Sequence, residues 1–165
     1  MPRTDRAIPR FLLSHPAHFI ALGAGSGLAP FMPGTFGSLF GWLLFVVLDR
    51  VLQLTPGAWS MLIVLAFALG VWACERTGHD LGVHDAGAMV WDEIVAMWLV
   101  LLFVPGTSGW QLAAFLVFRV FDITKPVPIR QFEQRFRNGF GVMADDVLAA
   151  FYTLLVLALW VRVFY

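Results

Sequence analysis

Five carboxylates abut long apolar runs in this chain: Asp92 and Glu93 side by side, Asp122 alone, and the adjacent Asp145 and Asp146. Acids held at membrane depth are costly and are functional candidates by default. Hard oxygen ligands gathered from separate segments suit Mg²⁺, which takes one or two carboxylates, keeps waters and meets a phosphate. Three positions beyond Asp122 stands Lys125, the one lysine beside ten arginines; it shares the face of Asp122 if a helix reaches that far. The stretch P-G-T-F-G-S at 33–38 adds Gly34, Thr35, Gly37 and Ser38. A turn of that composition offers backbone N–H groups and two hydroxyls at a helix start, where phosphate can bind. Each feature also has a plainer reading. Asp92 and Glu93 would favour a helix dipole, and Thr35, Ser38 or one of Asp145 and Asp146 would serve as an ordinary cap.

The elements that must position these groups are apolar. Of the 165 residues 59% are apolar and 15% aromatic, and the mean hydropathy of +0.78 is far from that of a soluble domain. This composition predicts an integral membrane protein, and the lengths of its apolar runs an all-α fold, a polytopic membrane bundle of four to five hydrophobic helices. The runs are 36–48, 58–74, 94–104, 110–121 and 147–164. A full crossing needs about 20 residues, so the third run must borrow backwards to Ala86, which places Asp92 and Glu93 inside a helix. The third and fourth runs have a re-entrant hairpin buried in protein as their alternative. Pro56-Gly57 and Pro105-Gly106 predict tight turns, and Pro126 and Pro128 predict an extended exit from the fourth run. The glycine-rich passage 19–32 reads as close-packed backbone at the membrane. Residues 1–18 form a basic arm and 19–165 a single membrane-embedded domain.

Charge placement gives an orientation. With Arg3, Arg6 and Arg10 cytoplasmic and five crossings, residues 75–93 and 122–146 are cytoplasmic too, and nine of eleven basic residues lie inside, as the positive-inside rule expects. The interruption of the N-terminal apolar stretch by Ser14, His15, Pro16 and His18 argues against a cleavable signal peptide. Asp5, Glu75, Asp80, Asp85 and Glu133 read as solvated loop charges. The formal net charge is zero, so electrostatics names no nucleic-acid partner.

Rival chemistries fail on spacing. A cysteine phosphatase needs an arginine six positions beyond Cys74, where this chain has Asp80. There is no Asp-x-Asp-x-Thr/Val motif. The four histidines do not make the set used by histidine-dependent lipid phosphatases, and Gly23, Gly25 and Gly27 lack the third spacing of a dinucleotide fingerprint. His79, Asp80, His84 and Asp85 could bind a transition metal but read more simply as a polar loop. Cys74 reads as a buried apolar filler.

Taken in order, P-G-T-F-G-S at 33–38, V-W-D-E-I-V at 90–95, F-R-V-F-D-I-T-K-P-V-P-I at 118–129 and G-V-M-A-D-D-V-L-A at 141–149 resemble the motifs of the bacterial phosphatidylglycerophosphatase A family. The resemblance covers residues 19–160. Val127 stands where many members carry tryptophan, and H-D-A-G-A-M precedes the second motif. The family implies a helical enzyme of the bacterial cytoplasmic (inner) membrane, its site facing the cytoplasm, that removes the phosphate monoester of phosphatidylglycerophosphate with Mg²⁺. On that footing Asp92, Glu93, Asp122, Asp145 and Asp146 are expected to hold metal, and Lys125 with Gly34, Thr35, Gly37 and Ser38 to hold the phosphate. Either an activated water or one of the acids attacks phosphorus. The alternative is a small channel or transporter subunit whose carboxylates pass protons or cations.

Overall fold

The computed structural model describes residues 9–164; Arg3, Asp5 and Arg6 of the basic arm lie outside it. Two short helices, α1 (Pro9–Leu12) and α2 (Pro16–Ala21), lead through a 3₁₀ segment at Gly23–Leu28 to α3 (Pro33–Leu52), α4 (Pro56–Leu81), α5 (Trp91–Phe103), α6 (Ser108–Thr124), α7 (Ile129–Arg135) and α8 (Gly139–Phe164). No strand occurs among the described residues. Three helices, α3, α4 and α8, are long and apolar enough to cross a membrane. Large side chains such as Leu43, Val64, Leu65, Leu116, Val120 and Phe151 point outward on the bundle. That is the pattern of a surface solvated by lipid rather than water.

The core is α5. It packs against α3, α4 and α8, and Ile94, Val95, Ala96, Met97 and Val100 along it are wholly buried. At 13 residues it measures about 20 Å, well short of a hydrocarbon core of about 30 Å. The helix therefore cannot cross alone and is enclosed by its longer neighbours. Close approach on the α3 side depends on Gly41, where a Cβ would stand 2.9 Å from the Cα of Ile94. Such small residues let membrane helices pack backbone to backbone. The Trp98 indole N–H is satisfied by the Gly41 carbonyl at 2.9 Å and that of Trp91 by the Ala66 carbonyl at 2.9 Å.

Several local expectations need correction. The third helix does not extend back to Ala86. Residues 86–90 are non-helical, and Val90 instead donates to the Ala21 carbonyl at 2.8 Å, so α5 starts at Trp91 with Asp92 and Glu93 in its first turn. P-G-T-F-G-S is not a turn before a helix but the opening of α3, since Pro33 suits the first helical position. Pro56-Gly57 likewise begins α4, capped by the Thr55 hydroxyl accepting from the Ala58 N–H at 3.2 Å. The chain leaves α6 in a turn rather than extended, because Lys125 takes a left-handed conformation with φ 41°.

Helix directions then place the polar groups. Because α3 and α5 run away from one end of the bundle and α4 and α6 return to it, residues 34–38, 77–93, 119–125 and 139–146 gather at that end. Asp49, Trp59 and Gln111 lie at the other, where the Trp59 indole donates to Asp49 at 3.0 Å. At the first end α2 is tied to α4 by His18, which is 3.0 Å from Thr77 Oγ1 and 3.3 Å from Asp80 Oδ2.

A buried carboxylate cluster and its two cations

Two segments distant in sequence deliver one cluster. Asp92 and Glu93 enter from the first turn of α5, and Asp146 from the third turn of α8. One carboxylate oxygen from each lies within 4.8 Å of the others. Asp92 is 8% exposed, Glu93 9% and Asp146 3%. A first-turn position suits the helix dipole but does not account for burial this complete. One oxygen of each acid, Asp92 Oδ1, Glu93 Oε2 and Asp146 Oδ2, is buried without a hydrogen-bond partner. Orphaned carboxylate oxygens cost several kcal/mol each unless a cation meets them. A set of hard, unpartnered oxygens fits Mg²⁺ by ligand type.

The other two acids are matched to cations. Asp122 forms an ion pair with Arg119 one turn earlier on α6 and also neighbours Asp146. Asp145 Oδ2 accepts from the Lys125 ammonium at 2.6 Å, and Glu133 on α7 lies 3.2 Å from the same nitrogen. Burial alone would lower the Lys125 pKa, but these carboxylates outweigh it and hold the group above the ordinary lysine range. The structure thus brings Asp92, Glu93 and Asp146 together and sets Asp122 and Asp145 beside them as partners of positive groups.

The opening of α3 lies against the same cluster. Ser38 is wholly buried, donates to the Gly34 carbonyl at 2.9 Å and accepts from Arg119 Nη1 at 3.2 Å. Thr35 Oγ1 is buried and unpartnered. Gly34 is required by close approach: a Cβ there would collide with Glu93 Oε1 and press on the Arg119 guanidinium. Gly37 faces Val90 instead, where a Cβ would come within 2.5 Å.

Arg119 is the residue that sequence reasoning missed. It entered only as a charge on one membrane face, although an arginine inside an apolar helix, three residues before Asp122, was signal enough. Some acids read as solvated have structural work. Glu75 accepts from the Gly139 N–H at the start of α8, and Asp80 is held by Arg76 at 2.8 Å and His79 at 3.2 Å. His84 and Asp85 are exposed. Among the described residues only Asp92, Glu93 and Asp146 are grouped as metal ligands would be.

An apolar groove of about 470 Å³ lies along α8, lined by Leu99, Phe103, Trp110, Val147, Phe151 and Val161 among others. It starts at Val147, the residue after Asp146, and follows α8 toward the far end of the bundle.

An all-helical bundle with membrane-grade helices and a carboxylate-centred polar site at one end defines a class, the membrane-embedded enzymes whose chemistry sits at the bilayer edge. Comparison with known proteins narrows it. The family described as Phosphatidylglycerophosphatase A matches residues 19–161. A Haemophilus influenzae protein named phosphatidylglycerophosphatase A is 46% identical over 92% of this chain and 93% of its own length. The Escherichia coli protein of the same name is 42% identical over 90% and 86%. A Bacteroides thetaiotaomicron protein, provisionally named a phosphatidylinositol-3-phosphatase, is 40% identical over 86% and 92%. No solved structure is significantly similar. The chain belongs to the phosphatidylglycerophosphatase A family and is a phosphoric monoester hydrolase. Family membership sets the channel reading aside.

Proposed function

We propose that this protein is a Mg²⁺-dependent lipid phosphatase that hydrolyses phosphatidylglycerophosphate to phosphatidylglycerol and phosphate at the cytoplasmic face of the bacterial inner membrane. The observation that carries the reading is the trio of unpartnered buried oxygens on Asp92, Glu93 and Asp146, in a chain whose relatives bear that substrate in their names. Asp92, Glu93 and Asp146 would hold the ion. Bound there, Mg²⁺ would supply charge neutralisation of the phosphate and a lowered pKa for an attacking water.

The chain's own residues do the rest. Lys125 fixes Asp145 one residue before the ligand Asp146, so the start of α8 presents its acid in one orientation. The first turn of α3 carries Thr35, whose buried hydroxyl has no partner, and Gly34 leaves room for Glu93. The groove that begins at Val147 accepts an acyl chain while the headgroup stays at the depth of the acids. Lys125, Arg130, Arg135 and Arg137 on the same end of the bundle support a cytoplasmic site.

The test is phosphate release by the purified protein in detergent. Phosphatidylglycerophosphate with Mg²⁺ is expected to yield inorganic phosphate, with loss on chelation and recovery on adding Mg²⁺ back. Release from phosphatidylinositol 3-phosphate alone, the substrate in the name of the Bacteroides relative, would reassign the substrate. Equal rates with and without chelator would remove the metal.

A further inference from the structure

Arg119 is the least explained charge in the molecule. It lies within apolar α6 with its side chain 12% exposed, a position that is expensive without a purpose. Its local contacts fall on one nitrogen. Asp122, Ser38 Oγ at 3.2 Å and Glu93 Oε1 at 3.9 Å all meet Nη1. Nε is buried and has no partner, while Nη2 lies over Gly34, 3.2 Å from where a Cβ would be.

A guanidinium is a planar fork that binds phosphate oxygens in pairs. Here one prong is anchored and the opposite edge, Nε with Nη2, is not. Lys125 differs, because its ammonium is already engaged by Asp145 and Glu133. Nη2 and Glu93 Oε1 both lie against Gly34, so the free edge borders the proposed metal ligand Glu93.

We propose that Arg119 binds the phosphoryl oxygens through its Nε–Nη2 edge, with Asp122 and Ser38 as positioning residues that fix the guanidinium. This rests on the lipid phosphatase reading above and names the cation of that site as Arg119 rather than Lys125. Two carboxylates, those of Asp122 and Glu93, meet this arginine, and Asp92 and Asp146 are grouped with Glu93. A dianionic phosphate enters such surroundings only where both a metal and a fixed positive fork receive it.

The experiment measures binding apart from turnover, on the full chain in detergent. Affinity for inorganic phosphate is taken by calorimetry with Mg²⁺ present, and affinity for Mn²⁺ by electron paramagnetic resonance without phosphate. Arg119→Lys keeps the charge and loses the fork; Arg119→Met loses both; Asp122→Asn frees the guanidinium; Arg130→Met, exposed on α7, controls for net charge. Phosphate affinity is expected to fall at least tenfold in Arg119→Lys, further in Arg119→Met and severalfold in Asp122→Asn, with Mn²⁺ affinity in Arg119→Lys within about threefold of the parent and Arg130→Met unchanged. If Arg119→Met does not fold, Arg119→Lys decides. Phosphate affinity equal to the parent's in Arg119→Lys and Asp122→Asn, or a parent protein that binds no phosphate, overturns the proposal. A parent that binds phosphate through Arg119 yet leaves phosphatidylglycerophosphate intact would refute the substrate and leave the phosphate subsite standing.

Discussion

The ammonium of Lys125 stands 2.6 Å from Oδ2 of Asp145, which ties the end of α6 to the start of α8. Asp145 is almost fully buried, at 3% exposure, so losing the lysine strands a carboxylate away from water. Lys125→Met is expected to destabilise the protein by roughly 2–4 kcal/mol, reduced from a fully buried pair by the partial exposure of the lysine. The double variant with Asp145→Asn should recover more than half of that. Thermal unfolding of the four proteins in detergent measures the coupling, and additive losses would deny it.

The same pair sets a pH expectation. A lysine whose folded pKa is raised contributes stability that is fully present below its unfolded value of about 10.4 and is lost only as pH climbs through the higher folded value. Between pH 7 and 9 the contribution of Lys125 should therefore be constant. The difference in melting temperature between parent and Lys125→Met is expected not to shrink over that interval. A difference that shrinks steadily toward pH 9 would mean that Lys125 is not held in its charged form.

Gly34 separates site geometry from helix propensity. An alanine in α3 gains about 1 kcal/mol of propensity, but its Cβ would collide with Glu93 Oε1. Gly34→Ala is expected to lose at least tenfold in kcat/KM, because displacing a catalytic group by about an ångström is that costly. Gly57→Ala, where a Cβ meets nothing, should behave as the parent does.

Topology can be read by labelling. With Cys74 replaced, single cysteines at His79 and Arg135, both exposed, are expected to react with an impermeant reagent from one side of the membrane only, the side opposite to a cysteine at Gly106. Reaction of the first two from opposite sides would break the arrangement.

Much of the site was legible because charges inside apolar runs stand out. V-W-D-E, F-D-I-T-K and A-D-D were visible as acids where acids are costly, and the all-helical membrane plan followed from composition and the lengths of the apolar runs. What was not legible is which charge meets which. Lys125 was expected on the face of Asp122, three residues away. The helix ends at Thr124, and the left-handed turn at Lys125 accompanies its contact with Asp145 instead. The start of α5 escaped hydropathy because Met89 and Val90 are as apolar as the helix that follows; a hydrogen bond to Ala21, some seventy residues earlier, keeps them out of it. Arg119 could be read as a neighbour of Asp122 but not of Ser38 or Glu93, which reach it only across the fold.

The central claim is that Asp92, Glu93 and Asp146 act together as the metal-binding set. Its most direct test is Mg²⁺-dependent phosphate release from phosphatidylglycerophosphate by Asp92→Asn, Glu93→Gln and Asp146→Asn, each checked for folding and titrated with Mg²⁺. Each variant should lose on the order of a hundredfold in kcat/KM, about 2.7 kcal/mol of transition-state stabilisation, and should need more Mg²⁺ for half-maximal rate. Folded variants that keep activity within threefold of the parent at the same Mg²⁺ requirement would contradict it.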